Sequence, residues 1–158
     1  MQLRPIQLSD NASIAKIIRD TLTEFNAAKS GTVYFDPTTD YLFELFQQPK
    51  ALYFIAEKQN KVLGGGGIFP SEGLPPETCE LVKMYLRPEA RGKGYGRALI
   101  EACMLAAKNG GFKHIYLETM PELKQALIVY EALGFKYLSA PLGNSGHFGC
   151  GLWMLKTL

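Results

Sequence analysis

Residues 81–100 read LVKMYLRPEARGKGYGRALI and contain a strand, a turn and the start of a helix. Apolar and aromatic residues interrupted only by Lys83 predict a strand, which Pro88 ends because proline has no N–H to donate. The three glycines within residues 91–96 predict a turn, and a helical pattern begins at Arg97. A strand followed by a basic, glycine-rich turn and a helix N-terminus predicts a phosphate site built from backbone amides.

Two common nucleotide-binding motifs do not fit this turn. The P-loop needs Gly-Lys followed by Ser or Thr, and Gly94 follows Lys93 here. The dinucleotide motif G-x-G-x-x-G/A fails in both registers, because its last position falls on Arg97 or Leu99. The sequence therefore disfavours a nucleotide-phosphate enzyme.

A third motif, [RQ]-x-x-G-x-[GA], is satisfied by Arg91, Gly94 and Gly96. With the preceding YLRPEARGKG, the following helix and a later YEALGF at residues 130–135, the chain resembles the GCN5-related N-acetyltransferases (GNAT) over nearly its whole length. The resemblance implies an α/β fold (mixed α+β) of GNAT type. It would have a mixed, mostly antiparallel sheet of about six to seven strands flanked by about four helices. We expect one domain over residues 1–158.

Composition limits the classes of function. The chain has 158 residues, 47% of them hydrophobic, and a net charge of +2, which is too small to indicate nucleic-acid binding. The sequence contains no apolar run long enough to predict a membrane span, and its N-terminus has no pattern that predicts a secretory signal. The three cysteines are widely spaced, which predicts reduced thiols in a cytoplasmic protein and no metal centre.

Coenzyme A is the polyanion that the resemblance implies for the turn, with acetyl-CoA as the co-substrate. The pyrophosphate would lie on the backbone of the turn, where glycines allow close approach. By the same resemblance, the pantetheine arm would run beside Met84, Tyr85 and Leu86. The predicted contacts of the turn itself are Arg91, Gly92, Lys93, Gly94, Tyr95, Gly96 and Arg97.

Glu80 is one candidate for the general base that would deprotonate the amine. It lies eleven residues before Arg91, the offset of the catalytic glutamate in the histone-acetyltransferase branch of the family. Strand alternation predicts that Glu80 shares a face with Val82, Met84 and Leu86, opposite Lys83 and Tyr85, where desolvation would raise its pKa. A paired structural carboxylate is the alternative role.

His147, in a glycine-rich loop, is the rival base, since imidazole titrates near neutral pH. Ordered water is a third possibility, because many family members use no single base. A structural loop histidine is the other interpretation of His147.

Tyr130 precedes E-x-L-G-F, and a tyrosine at this position is the usual general acid of the family. It would protonate the departing thiolate. A core tyrosine with a satisfied hydroxyl is the alternative. The chain departs from many relatives at Leu123, where they carry an asparagine that contacts the cofactor.

The acceptor is expected to be a small-molecule or peptide primary amine, acetylated by direct attack in a ternary complex. A non-catalytic acyl-CoA-binding or sensing module is the alternative. Tyr34, Phe35 and Asp36 are candidate acceptor contacts or, equally, a loop plug and a turn cap. Glu118 would bind the amine or help cap the next helix. Glycines 64–67 would admit either a neighbouring element or the ligand, and a homodimer is possible.

Overall fold

The computed structural model describes residues 1–158 as a seven-stranded mixed sheet with helices on both faces. The strands are β1 (Gln2–Pro5), β2 (Leu52–Lys58), β3 (Lys61–Phe69), β4 (Thr78–Leu86), β5 (His114–Thr119), β6 (Lys136–Leu138) and β7 (Leu152–Thr157). The α-helices are α1 (Asn11–Glu24), α2 (Leu42–Leu45), α3 (Tyr95–Asn109) and α4 (Lys124–Ala132). Short 3₁₀ turns span Leu8–Asp10, Pro37–Tyr41 and Pro88–Ala90. The predicted mixed sheet and four helices are confirmed.

The strand order is β1-β2-β3-β4-β5-β7-β6, and β4–β5 is the parallel pair in an otherwise antiparallel sheet. A parallel pair needs a crossover, and α3 supplies it. The pairing of β4 with β5 covers three positions, from Thr78 opposite His114 to Glu80 opposite Tyr116. Beyond Glu80 the two strands separate, which opens the sheet at its centre.

Each sheet face is buried by helices whose apolar residues recur at helical spacing. Ile14, Ile17, Ile18 and Leu22 of α1 are buried against Tyr53 and Ile55 of β2, as the periodicity predicts. On the other face α3 buries Ile100, Cys103 and Ala107 against β4, β5 and β7. None of the helices is both long enough and apolar enough to cross a membrane.

Glycines 64–67 lie in β3, where neighbouring elements leave no room for a side chain. A Cβ at Gly64 would lie 2.1 Å from the carbonyl oxygen of Tyr85, and one at Gly67 would lie 2.4 Å from that of Leu52. A Cβ at Gly65 would lie 2.6 Å from the ring of Tyr53. These glycines therefore admit neighbouring strands and rings, which decides the question that the sequence left open.

A β-bulge at Lys83 interrupts β4. Gly65 pairs with Tyr85 and Gly67 with Val82, so that two residues of β4 lie opposite Gly66. Lys83 has a φ of 52°, and the alternation of side chains changes there. The prediction that Glu80 and Met84 share a face opposite Lys83 and Tyr85 is therefore wrong. Beyond the bulge, Tyr85 packs with Val82 in the α1-side core, whereas Met84 packs on the α3 side.

The sequence pattern predicts a second helix that starts at Thr38 or Thr39, and a capping box of Thr119 and Glu122 before α4, and both differ from the structure. Asp36 caps a 3₁₀ turn by accepting a hydrogen bond from the backbone N–H of Thr38, so the second helix begins later than predicted. Thr119 does not cap α4, because it remains in β5 paired with Leu152. Its predicted capping partner Glu122 instead contacts Lys29.

Candidate active site

A cleft of about 570 Å³ opens where β4 and β5 separate. Residues 80–86 form one wall, and the end of β5 with α4 forms the other. The turn after β4 and the first residues of α3 close one end. A cleft of this size is large enough for an extended ligand.

The turn before α3 presents free backbone donors. The N–H groups of residues 92–97 donate no hydrogen bond within the chain. Gly92 and Gly94 have φ of 69° and 77°, a conformation that favours glycine, and a Cβ at either would meet nothing within 4 Å. Free amides at the N-terminus of a 15-residue helix form an anion site, and the open space before them suits a pyrophosphate.

The basic side chains around the turn are largely engaged within the protein. Arg91 makes a bidentate ion pair with Glu24 of α1 at 2.7 and 2.9 Å, and its Nε donates to the carbonyl of Leu86. Lys93 donates to the carbonyl of Glu89, and Arg97 pairs with Glu101. Arg91 therefore holds the turn against α1, while the backbone amides remain available to a ligand.

Glu80 lies in the cleft at the last position of β4 that pairs with β5, and it is 3% exposed. The hydroxyl of Ser71 donates to its Oε2, and its Oε1 has no hydrogen-bond partner in the protein. Burial raises the pKa of Glu80 from its ordinary 4.5 to about 7, helped by the nearby Glu118 and opposed by Ser71, His147 and Lys83. A carboxylate with this pKa suits proton transfer at neutral pH.

Tyr130 of α4 lines the same cleft and is 6% exposed. Its hydroxyl makes no hydrogen bond within the protein, and it is not among the fully enclosed polar atoms, so it reaches the cleft. Burial raises the pKa of Tyr130 above its ordinary 10, which keeps the hydroxyl protonated. Tyr130 is thus part of the buried core on the α3 side, and its hydroxyl has no partner within the protein.

His147 and Glu118 reach the cleft beside Glu80. One side-chain N or O atom of each of these three residues lies within 4.8 Å of the others. Glu118 accepts hydrogen bonds from the hydroxyls of Tyr116, at 2.8 Å, and Ser145. The sequence predicted no metal, but two carboxylates and an imidazole are groups that also bind divalent cations.

Asp36 links this cluster to the loop after α1. Its Oδ2 lies 3.0 Å from Nε2 of His147 and 3.2 Å from Nζ of the buried Lys83. Burial alone would raise the pKa of Asp36, but hydrogen bonds from His147 and Thr38 and the charge of Lys83 hold it well below its usual range. Asp36 is therefore a fixed carboxylate that orients the ring of His147.

A sequence model described as "Acetyltransferase (GNAT) family" matches residues 15–135. The chain belongs to the GNAT family. It is 41% identical over 157 residues to the uncharacterised N-acetyltransferase YjgM of Escherichia coli, covering 99% of this chain and 94% of the relative. The chain is accordingly an acetyl-CoA-dependent acyltransferase.

Solved structures agree with the GNAT fold. An acetyltransferase of the GNAT family from Staphylococcus aureus superimposes with a TM-score of 0.87 at 16% identity, covering 99% of this chain and 98% of the other. The structure of yncA from Salmonella typhimurium, determined with its cofactor acetyl-CoA, gives a TM-score of 0.75 at 21% identity, with coverage of 99% and 93%.

Most residues that the sequence assigned to this GNAT site lie in the cleft. Those that line it are Met84, Tyr85, Leu86, Arg91, Gly92, Gly94, Gly96, Arg97, Glu80, Glu118, Tyr130 and His147. Lys93 and Tyr95 are not in its wall, because Lys93 turns back to Glu89 and Tyr95 packs beside the small core under the turn. Leu123 also lines the cleft.

Tyr34 and Phe35, for which the sequence left open a role as acceptor contacts or as a loop plug, do not line the cleft. The carbonyl of Tyr34 accepts from Arg19, and its ring packs edge-on against Phe35 at 4.9 Å. Phe35 is 61% exposed. Asp36 alone of the three reaches the site, through His147 and Lys83.

Sequence reasoning missed Lys83, Ser71 and Ser145. Lys83 lines the cleft with a side chain that is 3% exposed, and a lone lysine inside an apolar strand is a signal for a buried ionic partner. Neither serine carries such a signal, because each acts through one contact with a carboxylate made by the fold.

Proposed function

We propose that this enzyme transfers the acetyl group of acetyl-CoA directly to a primary amine bound in the same cleft. The observation that carries the proposal is the continuity of that cleft. It joins the free amides of residues 92–97, the buried carboxylate of Glu80 and the unpaired hydroxyl of Tyr130. Donor and acceptor would therefore be held together, which favours a ternary complex over transfer through an acyl-enzyme.

The donor would be held at two places. Its pyrophosphate suits the amides of residues 92–97 and the positive end of α3. Its pantetheine arm suits the edge of β4 beyond Glu80, where β5 no longer pairs with the strand. Met84, Tyr85 and Leu86 lie along that edge, so they are the proposed contacts.

Acetyl-CoA supplies a thioester whose carbonyl carbon accepts the amine. Glu80 takes a proton from the incoming ammonium, since a carboxylate with a pKa of about 7 is ionised at slightly alkaline pH and still basic enough to act. Tyr130 donates its proton to the departing sulfur as the C–S bond breaks, and it recovers one from the nitrogen, which must lose a second proton to become the amide. Glu80 thus acts on the nitrogen, and Tyr130 exchanges protons with both the sulfur and the nitrogen.

The test is the release of free CoA thiol from acetyl-CoA across a panel of primary amines. Glu80→Gln should lower kcat by about 10²-fold or more, as loss of a general base does. Glu89→Gln is the matched control, because Glu89 is exposed and pairs with Lys61. If His147→Gln abolished turnover while Glu80→Gln retained it, the base would be His147 and this assignment would be wrong.

A separate variant tests the acid. Tyr130→Phe should lower kcat with little change in KM for acetyl-CoA. Tyr137→Phe is its control, because the Tyr137 hydroxyl bonds Glu131 on the surface. An unchanged kcat for Tyr130→Phe would remove that hydroxyl from the mechanism.

A further inference from the structure

We propose that the acceptor docks as an ammonium between Glu80, Glu118 and His147, and that the carbon bearing its amine carries no carboxylate. This inference rests on the proposed function, since it names the class of amine acetylated at the same site. Decarboxylated amines such as tyramine belong to this class, and free α-amino acids such as tyrosine do not.

Glu80 and Glu118 offer carboxylate oxygens to the N–H groups of an ammonium, and His147 lies beside them. Glu80 comes from β4, Glu118 from β5 and His147 from the loop of residues 139–151. Each carboxylate is fixed by a hydroxyl, Ser71 for Glu80 and Ser145 for Glu118, and retains lone pairs. A desolvated ammonium needs an acceptor for each N–H, so this convergence meets its requirement.

Asp36 holds the ring of His147 at the cluster. Because Asp36 is a fixed carboxylate, Nε2 of His147 donates its hydrogen to Oδ2 of Asp36 at 3.0 Å. Nδ1 of His147 makes no hydrogen bond within the protein. Asp36 is thus a positioning residue for the ammonium site.

The spacing of the three side chains accommodates an ammonium. Hydrogen bonds of about 2.9 Å around a tetrahedral nitrogen place its acceptors about 4.7 Å apart. One atom each of Glu80, Glu118 and His147 lies within 4.8 Å of the others, in agreement with that spacing. Ligands of a tetrahedral zinc ion would lie about 3.4 Å apart, and the zinc titration below separates the two cases.

The cations around this end of the cleft are already paired. Lys83 bonds Asp36 and is buried, Arg19 pairs with Asp40, and Lys29 pairs with Glu122. An α-carboxylate would therefore find no free cation and would lie beside two glutamates. Like charges placed together without compensation should lower kcat/KM by roughly 10²-fold.

The experiment compares matched amines by release of CoA thiol: tyramine with tyrosine and tyrosinamide, and tryptamine with tryptophan. We expect kcat/KM for each amine to exceed that for its amino acid by roughly 10²-fold, with tyrosinamide closer to tyramine because it lacks the charge. Equal or better turnover of the amino acids would overturn the inference.

Binding without turnover separates this inference from the proposed function. Calorimetry with tyramine and the enzyme–CoA complex should show binding that Glu118→Gln weakens at least about tenfold, since one ionised acceptor is lost. Glu131→Gln, on the surface, is the control and should bind as the unaltered protein does. Binding of tyramine with no thiol release from any amine would contradict the proposed function and support the docking site.

Binding of zinc in place of the amine is the remaining outcome to be tested. If ZnCl₂ at micromolar concentration bound with one-to-one stoichiometry and displaced tyramine, and Glu118→Gln abolished both effects, the cluster would be a metal site and the inference would be overturned.

Discussion

Glu80→Gln should make the protein more stable while it removes the proposed base. The carboxyl is 3% exposed, and its pKa is raised from 4.5 to about 7, chiefly by burial. The folded protein therefore binds a proton more tightly than the unfolded chain does. That contribution to stability is fully present below pH 4.5 and is lost as the pH rises through about 7.

The size of the effect follows from the two pKa values. Ionising the buried carboxyl costs about 1 kcal/mol of folding free energy at pH 5 and about 3 kcal/mol at pH 8. The substituted amide carries no charge and can still accept from Ser71, so it avoids this cost. A domain of this length shifts its Tm by about 2–4 °C per kcal/mol, so the advantage of the variant should widen by roughly 4–8 °C between the two pH values.

Thermal unfolding at pH 5, 6, 7 and 8 measures the difference in Tm between the two proteins. Glu89→Gln is the control, since its carboxylate is on the surface beside Lys61 and its difference from the unaltered protein should vary little over this range. A constant Tm difference for Glu80→Gln from pH 5 to pH 8 would show that Glu80 is not ionised in a buried setting. The same result would contradict the proposed role of Glu80 as the general base.

Other variants test separate parts of the structure. Tyr130→Phe should reduce kcat by about 10-fold or more and leave the pH dependence of kcat below pH 8 unchanged. Stopped-flow single turnovers measure the chemical step directly. An unaffected rate of that step would show that the hydroxyl plays no part. Gly94→Ala places a side chain at a φ of 77°, which costs about 1 kcal/mol of stability. The added Cβ also crowds the anion site, so KM for acetyl-CoA should rise. The control Gly151→Ala, in open space at ordinary φ, should leave that KM unaltered. Gly67→Ala would put a Cβ 2.4 Å from a backbone carbonyl oxygen of β2. Urea titrations should therefore show a free energy of unfolding lower by about 1–3 kcal/mol. An unchanged unfolding midpoint would contradict the close approach. Asp36→Asn should raise KM for the amine several-fold and leave KM for acetyl-CoA unchanged. The reason is that the substitution weakens the hydrogen bond that holds His147 at the acceptor end. A parallel rise in both constants would instead indicate general unfolding.

The local spacing of apolar residues was sufficient to predict much of the fold. The helical spacing of Ile14, Ile17 and Leu22 identified α1 because a helix packed on one face must repeat its apolar residues. The bulge at Lys83 could not be predicted, since it depends on the register between β3 and β4, and no residue in β4 encodes that register alone. The predicted cap at Thr119 failed for a related reason: pairing with Leu152, which lies far along the chain, keeps that residue extended.

The sequence by itself determined the proposed donor end of the site. The turn of residues 91–96 and the helix after it are contiguous, and their function needs only glycine conformation and backbone amides, both of which are local properties. The proposed acceptor end was decided by the tertiary structure. Glu80, Glu118, His147 and Asp36 come from four segments, and only the separation of β4 from β5 and the contact between two loops bring them together. The pKa of Glu80 is likewise a property of the fold, because it arises from burial by residues distant in the chain.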